Sequence, residues 1–321
     1  MRLGFKQDEI VDYNMKDFGV IVVCCKSDYW SAKACCASIR HFMGDAPICL
    51  LIDGGFNVDG LKKQYGVQVI NYDNVSNPML KQRSFGYGIT KMIAFWESPF
   101  EYFLLLDADI IVWGDMRKHA DFQHYDLIID RPAYGYSEAD VNKWFFDTKK
   151  LEQHFPHFDW RDRPYVCTGV TLAKRGLFDL SEYAKLLDMK LENPDIFHYG
   201  EMGFLNLMMF AGADAGKFRL GQEDIQIIVQ DYDQQALKKR FSIGHGLPVA
   251  QNGEAKAIHY AGMKALMSNA KHYTELMSFF RRQYLKDRWR LHGYLAELVL
   301  RAEEYFLSHP RAAKLLGHGQ R

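Results

Sequence analysis

Two carboxylates one residue apart, Asp107 and Asp109, interrupt the apolar run 104–112 (LLLDADIIV). Such a run reads as a strand buried on both faces, where a charge adds nothing to packing and calls for a partner. Two aspartates converging at a strand end suit a hard divalent cation that keeps some waters and takes its remaining ligands from substrate phosphates. The chemistry expected is that of a nucleotide. The alternative, that the pair merely caps a loop or the next helix, is disfavoured by the buried setting.

The elements that must position this pair follow from the pattern around it. Strands are expected at 18–25 (FGVIVVCC), 48–53 (ICLLID), 67–72 (VQVINY) and 102–107, with helices at 29–42 and 88–97. Strand alternating with helix predicts a mostly parallel α/β sheet, and such sheets bind ligands at the carboxyl ends of their strands, where Asp53 and Asp107 fall. Further strands are expected at 126–130, 166–173 (VCTGVTLA), 226–229 and 257–260, and a helix at 201–210. Trp144, Phe145, Phe146, Phe155, Phe158 and Trp160 crowd one stretch and are read mostly as core rather than as the lining of an acceptor site.

The 321 residues, 48% of them apolar, are enough for a sizeable core in one large domain or two small ones. Forty basic and forty acidic side chains cancel, so no global charge attracts nucleic acid. Cys24, Cys25, Cys35, Cys36, Cys49 and Cys167 do not form a CxxC framework. They are read as buried thiols of a cytoplasmic protein rather than as zinc ligands. The segment 1–17 lacks the apolar core of a signal peptide, and no stretch has the length of a bilayer span.

The last fifty residues change character. Arg281, Arg282, Lys286, Arg288 and Arg290 cluster among Phe279, Phe280, Tyr284, Leu285 and Trp289. The chain is therefore divided into 1–270 and a basic, aromatic helical extension, 271–321. Two expectations stand for that extension: peripheral contact with an anionic membrane surface, or a helix docked on the sheet.

Taken in order, these features resemble the GT-A class of nucleotide-sugar glycosyltransferases, particularly family 8, which includes glycogenin and lipopolysaccharide galactosyltransferases. Four places over 18–265 carry the resemblance: 20–39; 83–91 followed by FLLLDADIIVWGDM (103–116), similar to the family's DxD strand; Thr168-Gly169-Val170 with Glu201-Met202-Gly203-Phe204-Leu205-Asn206 downstream; and His259-Tyr260-Ala261-Gly262-Met263-Lys264. The third resembles an Asn-Ser/Thr-Gly-Val strand followed by D-Q-D-x-L-N. The fourth resembles H-x-x-G-x-x-K-P-W with one residue fewer before the lysine.

The resemblance implies a Rossmann-like mixed sheet flanked by helices and a cofactor, Mn2+ or Mg2+, held by Asp107, Asp109 and His259. The donor it implies is a nucleotide sugar with a uridine diphosphate leaving group, whose growing charge must be met by a metal and by cationic or N–H donors. Gly262 and Lys264 are then expected at the diphosphate, Arg83 and Lys91 at the diphosphate or sugar hydroxyls, Asp53 at the base or ribose, and Thr168, Gly169 and Asn206 around the sugar. Glu201 is expected either to deprotonate the acceptor or to lie beneath the donor sugar. The acceptor implied is a glycan or lipid-linked saccharide. Met202 and Gly203 depart from the family's glutamine and second aspartate, so donor sugar and stereochemistry stay open.

Three other readings compete. A phosphohydrolase of the haloacid dehalogenase type would use the first aspartate as nucleophile, but its motif lies on the first core strand, and here three strands come earlier. A nucleotidyltransferase needs a glycine-rich basic loop after the first strand, where this chain has Lys26-Ser27-Asp28-Tyr29-Trp30. A non-catalytic module binding nucleotide sugar or glycan is the reading that Met202 and Gly203 favour.

Overall fold

The computed structural model describes residues 17–86, 88–132, 134–244, 246–269, 271–289 and 293–309. The chain begins with β1 (Phe18–Cys25), α1 (Tyr29–Met43), β2 (Ile48–Asp53), α2 (Asp59–Tyr65), β3 (Gln68–Ile70) and α3 (Pro78–Arg83). A 3-10 turn over Thr90–Ile93 runs into α4 (Ala94–Glu97), then β4 (Tyr102–Asp107) and β5 (Ile110–Trp113). Next come β6 (Leu127–Asp130), α5 (Glu138–Trp144), α6 (Thr148–His154), β7 (Val170–Lys174), α7 (Leu180–Glu192) and α8 (Met202–Asp214). The last part holds β8 (Leu220–Glu223), β9 (Gln226–Ile228), α9 (Gln234–Arg240), β10 (Ile243–Gly244), β11 (Leu247–Pro248), β12 (Lys256–His259), α10 (Glu275–Trp289) and α11 (Gly293–Ser308).

Seven strands form one mixed sheet in the order β3-β2-β1-β4-β7-β6-β8. The β3 to β4 half is parallel, as the strand–helix rhythm predicts, while β7 runs antiparallel to both β4 and β6. Side chains alternate between the two faces. Val20, Val22, Leu104 and Leu106 enter a core shared with α1 and α10, whereas Ile21, Phe103 and Leu105 enter one shared with α4, α7 and α8. Both faces are covered, which is why β1, β2 and β4 read as continuous apolar runs.

A second sheet, β5-β12-β9, pairs β12 antiparallel to β5 and parallel to β9. The sequence pattern did not separate β5 from β4. The chain leaves the large sheet at Asp107 and enters the small one at Ile110, so the two aspartates occupy the turn between sheets.

Three expected elements shift. The strand expected at 166–173 starts at Val170, because the preceding backbone turns toward β4 and Lys91. The helix expected at 88–97 starts as the 3-10 turn at Thr90, and the strand at 67–72 shortens to Gln68–Ile70. Phe145, Phe146, Phe158 and Trp160 are buried, as expected of core, and Trp144 and Phe155 pack partly buried against them.

The aromatic side of α10 is committed to the interior. Phe280, Tyr284 and Leu285 join the core of β1 and α1, and the Arg281 side chain is only 1% exposed, paired with Glu303 and Glu304 at 2.7 Å each. A docked helix is thus the expectation that α10 meets. Arg290, the Trp289 side chain, 1–16 and 310–321 lie outside the described residues. All six cysteines are free, with Cys24, Cys35, Cys36 and Cys49 buried. No described helix is long and apolar enough to cross a membrane.

Candidate functional site

Register brings the carboxylates and the histidine together. In the β12–β5 ladder His259 stands opposite Ile110, and the Tyr260 N–H donates to the Asp109 carbonyl at 3.1 Å. The His259 imidazole therefore lies beside the aspartate turn, with Nε2 at 3.2 Å from Asp109 Oδ1 and 3.9 Å from Asp107 Oδ2. Its other nitrogen, Nδ1, meets Gln226 Oε1 at 2.9 Å, and Gln226 Nε2 donates to the Cys167 carbonyl at 3.0 Å. An amide oxygen only accepts, so Nδ1 carries a hydrogen and Nε2 is turned to the carboxylates.

Asp107, Asp109 and His259 offer donor atoms all within 4.8 Å of one another. Two carboxylate oxygens and one imidazole form a donor set that fits Mn2+ or Mg2+. Without a metal, His259 supplies the counter-charge. Burial opposes its protonation, but the Asp109 carboxylate outweighs burial and holds the imidazole well above its ordinary value. Asp109 is in turn held below the usual carboxylate range, burial being overcome by His259.

Gly169 sits where the ring passes. A Cβ there would lie 2.4 Å from His259 Cε1, 2.5 Å from Nδ1 and 3.0 Å from Gln226 Oε1. The glycine expected near the sugar therefore serves first as clearance for the histidine, while its carbonyl accepts from Asp107 N at 2.9 Å.

Lys91 closes the other side. Its Nζ lies 2.7 Å from Asp107 Oδ1, 2.7 Å from Glu201 Oε1 and 3.0 Å from the Thr168 carbonyl. Burial disfavours the ammonium, yet the two carboxylates outweigh it and raise Lys91 above its ordinary value. Thr168 Oγ1 donates to the same Glu201 oxygen at 2.7 Å. Asp107 is pushed up to about 6, chiefly by burial with help from Glu201 and Asp109, against the pull of Lys91 and His259. Glu201 directly precedes α8, where the helix dipole favours a negative charge.

The structure thus gathers Asp107, Asp109, His259, Lys91, Glu201, Thr168 and Gly169. It places five expected site residues elsewhere. Asn206 is fully buried, its amide bonded to Val166 N at 3.0 Å, Val166 O at 2.9 Å and Met202 O at 2.8 Å, so it ties α8 to the segment before β7. Arg83 pairs with Asp188 at 2.6 Å. Asp53 Oδ2 accepts from Gly86 N and Thr90 Oγ1 at 3.0 Å each, holding the turn that carries Lys91. Lys264 is exposed with Nζ 3.3 Å from the Leu307 carbonyl, while Gly262 is exposed at φ 68°.

Gly203, which replaces the family's second aspartate, has a physical reason. A Cβ there would lie 1.8 Å from the Phe145 carbonyl oxygen, so no carboxylate fits. Two participants escaped the sequence reading. Gln226 orients His259 from 33 residues away and leaves no local signal. Asp28 accepts from Cys25 N at 2.6 Å and is pushed up to about 6 chiefly by burial, with the Asp109 charge adding to it. Its position just before α1, in the loop after the first strand, was the available clue.

A cavity of about 200 Å3 is lined by Cys167 and by Gln226, the partner of His259, together with Tyr134, Tyr136, Tyr232 and Asp231. A larger cavity of about 310 Å3, lined by Phe155, Phe178, Leu186, Met208 and Phe218, contains none of the site residues.

No family model and no curated protein matches the chain. Solved structures do. The galactosyltransferase LgtC, in complex with donor and acceptor sugar analogs, aligns over 83% of this chain and 95% of its own, with 14% identity and a TM-score of 0.52. An active-site mutant of LgtC aligns over 82% and 94%, with 13% identity and a TM-score of 0.50. The apo bifunctional glycosyltransferase WbbM aligns over 84% of this chain and 50% of its own, with 11% identity and a TM-score of 0.51. At these identities the likeness shows the fold, the GT-A architecture expected from the resemblance. It replaces the haloacid dehalogenase topology as a description of this sheet.

Proposed function

We propose that this chain is a metal-dependent glycosyltransferase that moves a sugar from a nucleoside diphosphate sugar, with uridine diphosphate as leaving group, to a saccharide or glycolipid acceptor. One observation carries the reading: the three-donor group Asp107, Asp109 and His259 directly adjoins the buried Lys91–Glu201 pair, at the strand end where a GT-A fold binds its donor. When bound there, Mn2+ or Mg2+ supplies positive charge to the departing diphosphate.

The chain's own residues do the rest. Gln226 fixes the imidazole, and Gly169 lets it approach. Lys91 lies between Asp107 and Glu201 and balances their charge. Glu201 Oε1 already accepts from Lys91 and Thr168, which fixes the carboxylate in place and suits it to stabilising positive charge on the sugar ring.

The tyrosine-rimmed cavity beside Gln226 suits the acceptor, since aromatic faces stack on sugar rings and Asp231 accepts from hydroxyls. Tyr232→Ala is expected to raise the acceptor KM about tenfold and leave the donor KM unchanged, as expected for about 1–1.5 kcal/mol of aromatic contact. Peripheral membrane contact falls to α11, which leaves Tyr294, Leu295, Leu298 and Tyr305 exposed. Binding to anionic liposomes that survives replacement of all four by serine would remove α11 from that role.

The test of the whole reading is release of UDP from a panel of UDP-sugars with Mn2+ and a mixed oligosaccharide acceptor pool. Wild type is expected to turn over one of them and Asp109→Ala none. Equal turnover by both would defeat it.

A further inference from the structure

The wall of the smaller cavity and the start of α8 meet at one buried residue, Phe145. Its ring packs at 5.1 Å on Tyr136 and at 4.8 Å on Tyr165, both of which line that cavity. Its carbonyl accepts from His198 N at 2.8 Å and leaves no room for a side chain at Gly203, two residues after Glu201. Asp147 N donates to the Ile196 carbonyl at 2.9 Å, and Phe146 bridges antiparallel to Phe197. Continuing that register sets Trp144, the last residue of α5, across from Tyr199.

The two rings meet at 5.1 Å, tilted by 38°. Tyr199 is nonetheless 61% exposed, and Lys143 Nζ lies 4.3 Å from the centroid of the Trp144 ring. The pair therefore presents aromatic faces and hydrogen-bond donors to solvent, close to the candidate catalytic carboxylate.

The backbone beneath Tyr199 is strained. Its φ is 49°, in the left-handed region that a bulky side chain rarely enters. Gly200 follows at φ 66°, packed against the Gly88 carbonyl three residues before Lys91. Met202 N then donates to the Tyr199 carbonyl at 3.2 Å, closing a tight turn with Gly200 and Glu201 at its centre. Glycine or asparagine would hold the same turn without strain, and a ring this exposed buries too little surface to offset it. Strain retained at an exposed aromatic two residues from Glu201 marks a contact made with a ligand rather than within the fold.

We propose that Trp144 and Tyr199 form an outer acceptor subsite that stacks a sugar distal to the one that reacts, so that the acceptor is an oligosaccharide chain and not a single sugar. The turn ties this subsite to Glu201, and Phe145 ties it to the tyrosine-lined cavity. The aromatic faces take the apolar face of a pyranose, while the Tyr199 hydroxyl and the Lys143 ammonium donate to its hydroxyls. This inference rests on the transferase reading and deepens it by giving the acceptor a length.

The test divides the mixed oligosaccharide pool by size and follows UDP release, with Mn2+ and limiting acceptor, from the UDP-sugar that the wild type uses. Each chain is given the disaccharide fraction and the fraction of tetrasaccharides and longer, and the ratio of the two rates is compared between chains. Tyr199→Asn is expected to lower the long-to-short ratio about fivefold, as loss of one aromatic contact implies. Asparagine tolerates the left-handed backbone, so the variant is also expected to melt no lower than wild type. A wild-type ratio in folded Tyr199→Asn would overturn the proposal and leave the exposed rings to a protein contact. A clearly lower melting temperature would show that the ring serves the fold, and the argument from strain would fall with the proposal. A wild-type chain that turns over no UDP-sugar with either fraction defeats the transferase reading, and with it this inference. Turnover by wild type with an unchanged ratio in the variant defeats the inference alone.

Discussion

Replacing Gly169 by alanine probes the metal site without altering a ligand. The added methyl carbon would lie 2.4 Å from His259 Cε1 and 2.5 Å from Nδ1, where ordinary contact begins at 3.4 Å, so the ring must retreat by about 1 Å. It has little freedom to do so. His259 is 3% exposed, and its Nδ1 is held by Gln226 at 2.9 Å. Moving away from Gly169 breaks that bond or carries Nε2 off its 3.2 Å approach to Asp109. Overpacking of this kind costs about 1–3 kcal/mol, and loss of an orienting contact lowers metal affinity about 10–100-fold. The assay is calorimetric titration of Mn2+ into protein saturated with UDP, beside a thermal melt. Gly169→Ala is expected to bind Mn2+ at least about tenfold more weakly. Wild-type Mn2+ affinity in a folded Gly169→Ala variant would show that the imidazole at this position is not a ligand, and the steric reasoning would fail with it.

Two further outcomes follow from the charges. Lys91→Met leaves the partly buried Asp107 and Glu201 without their shared cation, an expected loss of at most about 3 kcal/mol. Because a divalent cation neutralises the same carboxylates, Mn2+ should raise the variant's melting temperature more than wild type's; an equal rise would contradict the shared counter-charge. Asp28, lifted from 3.8 to about 6 chiefly by burial, binds its proton more tightly folded than unfolded. Its contribution to stability is therefore favourable at low pH and is lost as pH rises from about 4 to about 6. Asp28→Asn is accordingly expected to stabilise the chain by about 1–2 kcal/mol at pH 7.5 and by nothing at pH 4, measured by urea unfolding. A gain that persists at pH 4 would sink the electrostatic explanation.

The strands that carry the site were legible because they are buried on both faces. The spans of β1, β2 and β4 match the apolar runs to the residue, and Asp107 stood out against such a run. His259 was legible only through the order of motifs along the chain. What the sequence hides is closure between distant segments. Lys91 joins Thr168 and Glu201 across 77 and 110 positions, and nothing local marks that meeting. The basic cluster of the tail was ambiguous for the same reason, since the partners of Arg281 lie 22 and 23 residues further on, in another helix. Gly203 departs from the motif, and the Phe145 carbonyl packed against it accounts for that by space alone.

The central claim is that Asp107, Asp109 and His259 hold a metal that in turn holds a nucleoside diphosphate. Calorimetric titration of the purified chain with UDP, GDP and CDP, each with Mn2+ and with chelator, measures it most directly. UDP is expected to bind with Mn2+ and to lose at least about tenfold in affinity with chelator, as metal-bridged phosphates require. Binding indifferent to Mn2+, or none by any of the three nucleotides, would contradict the account.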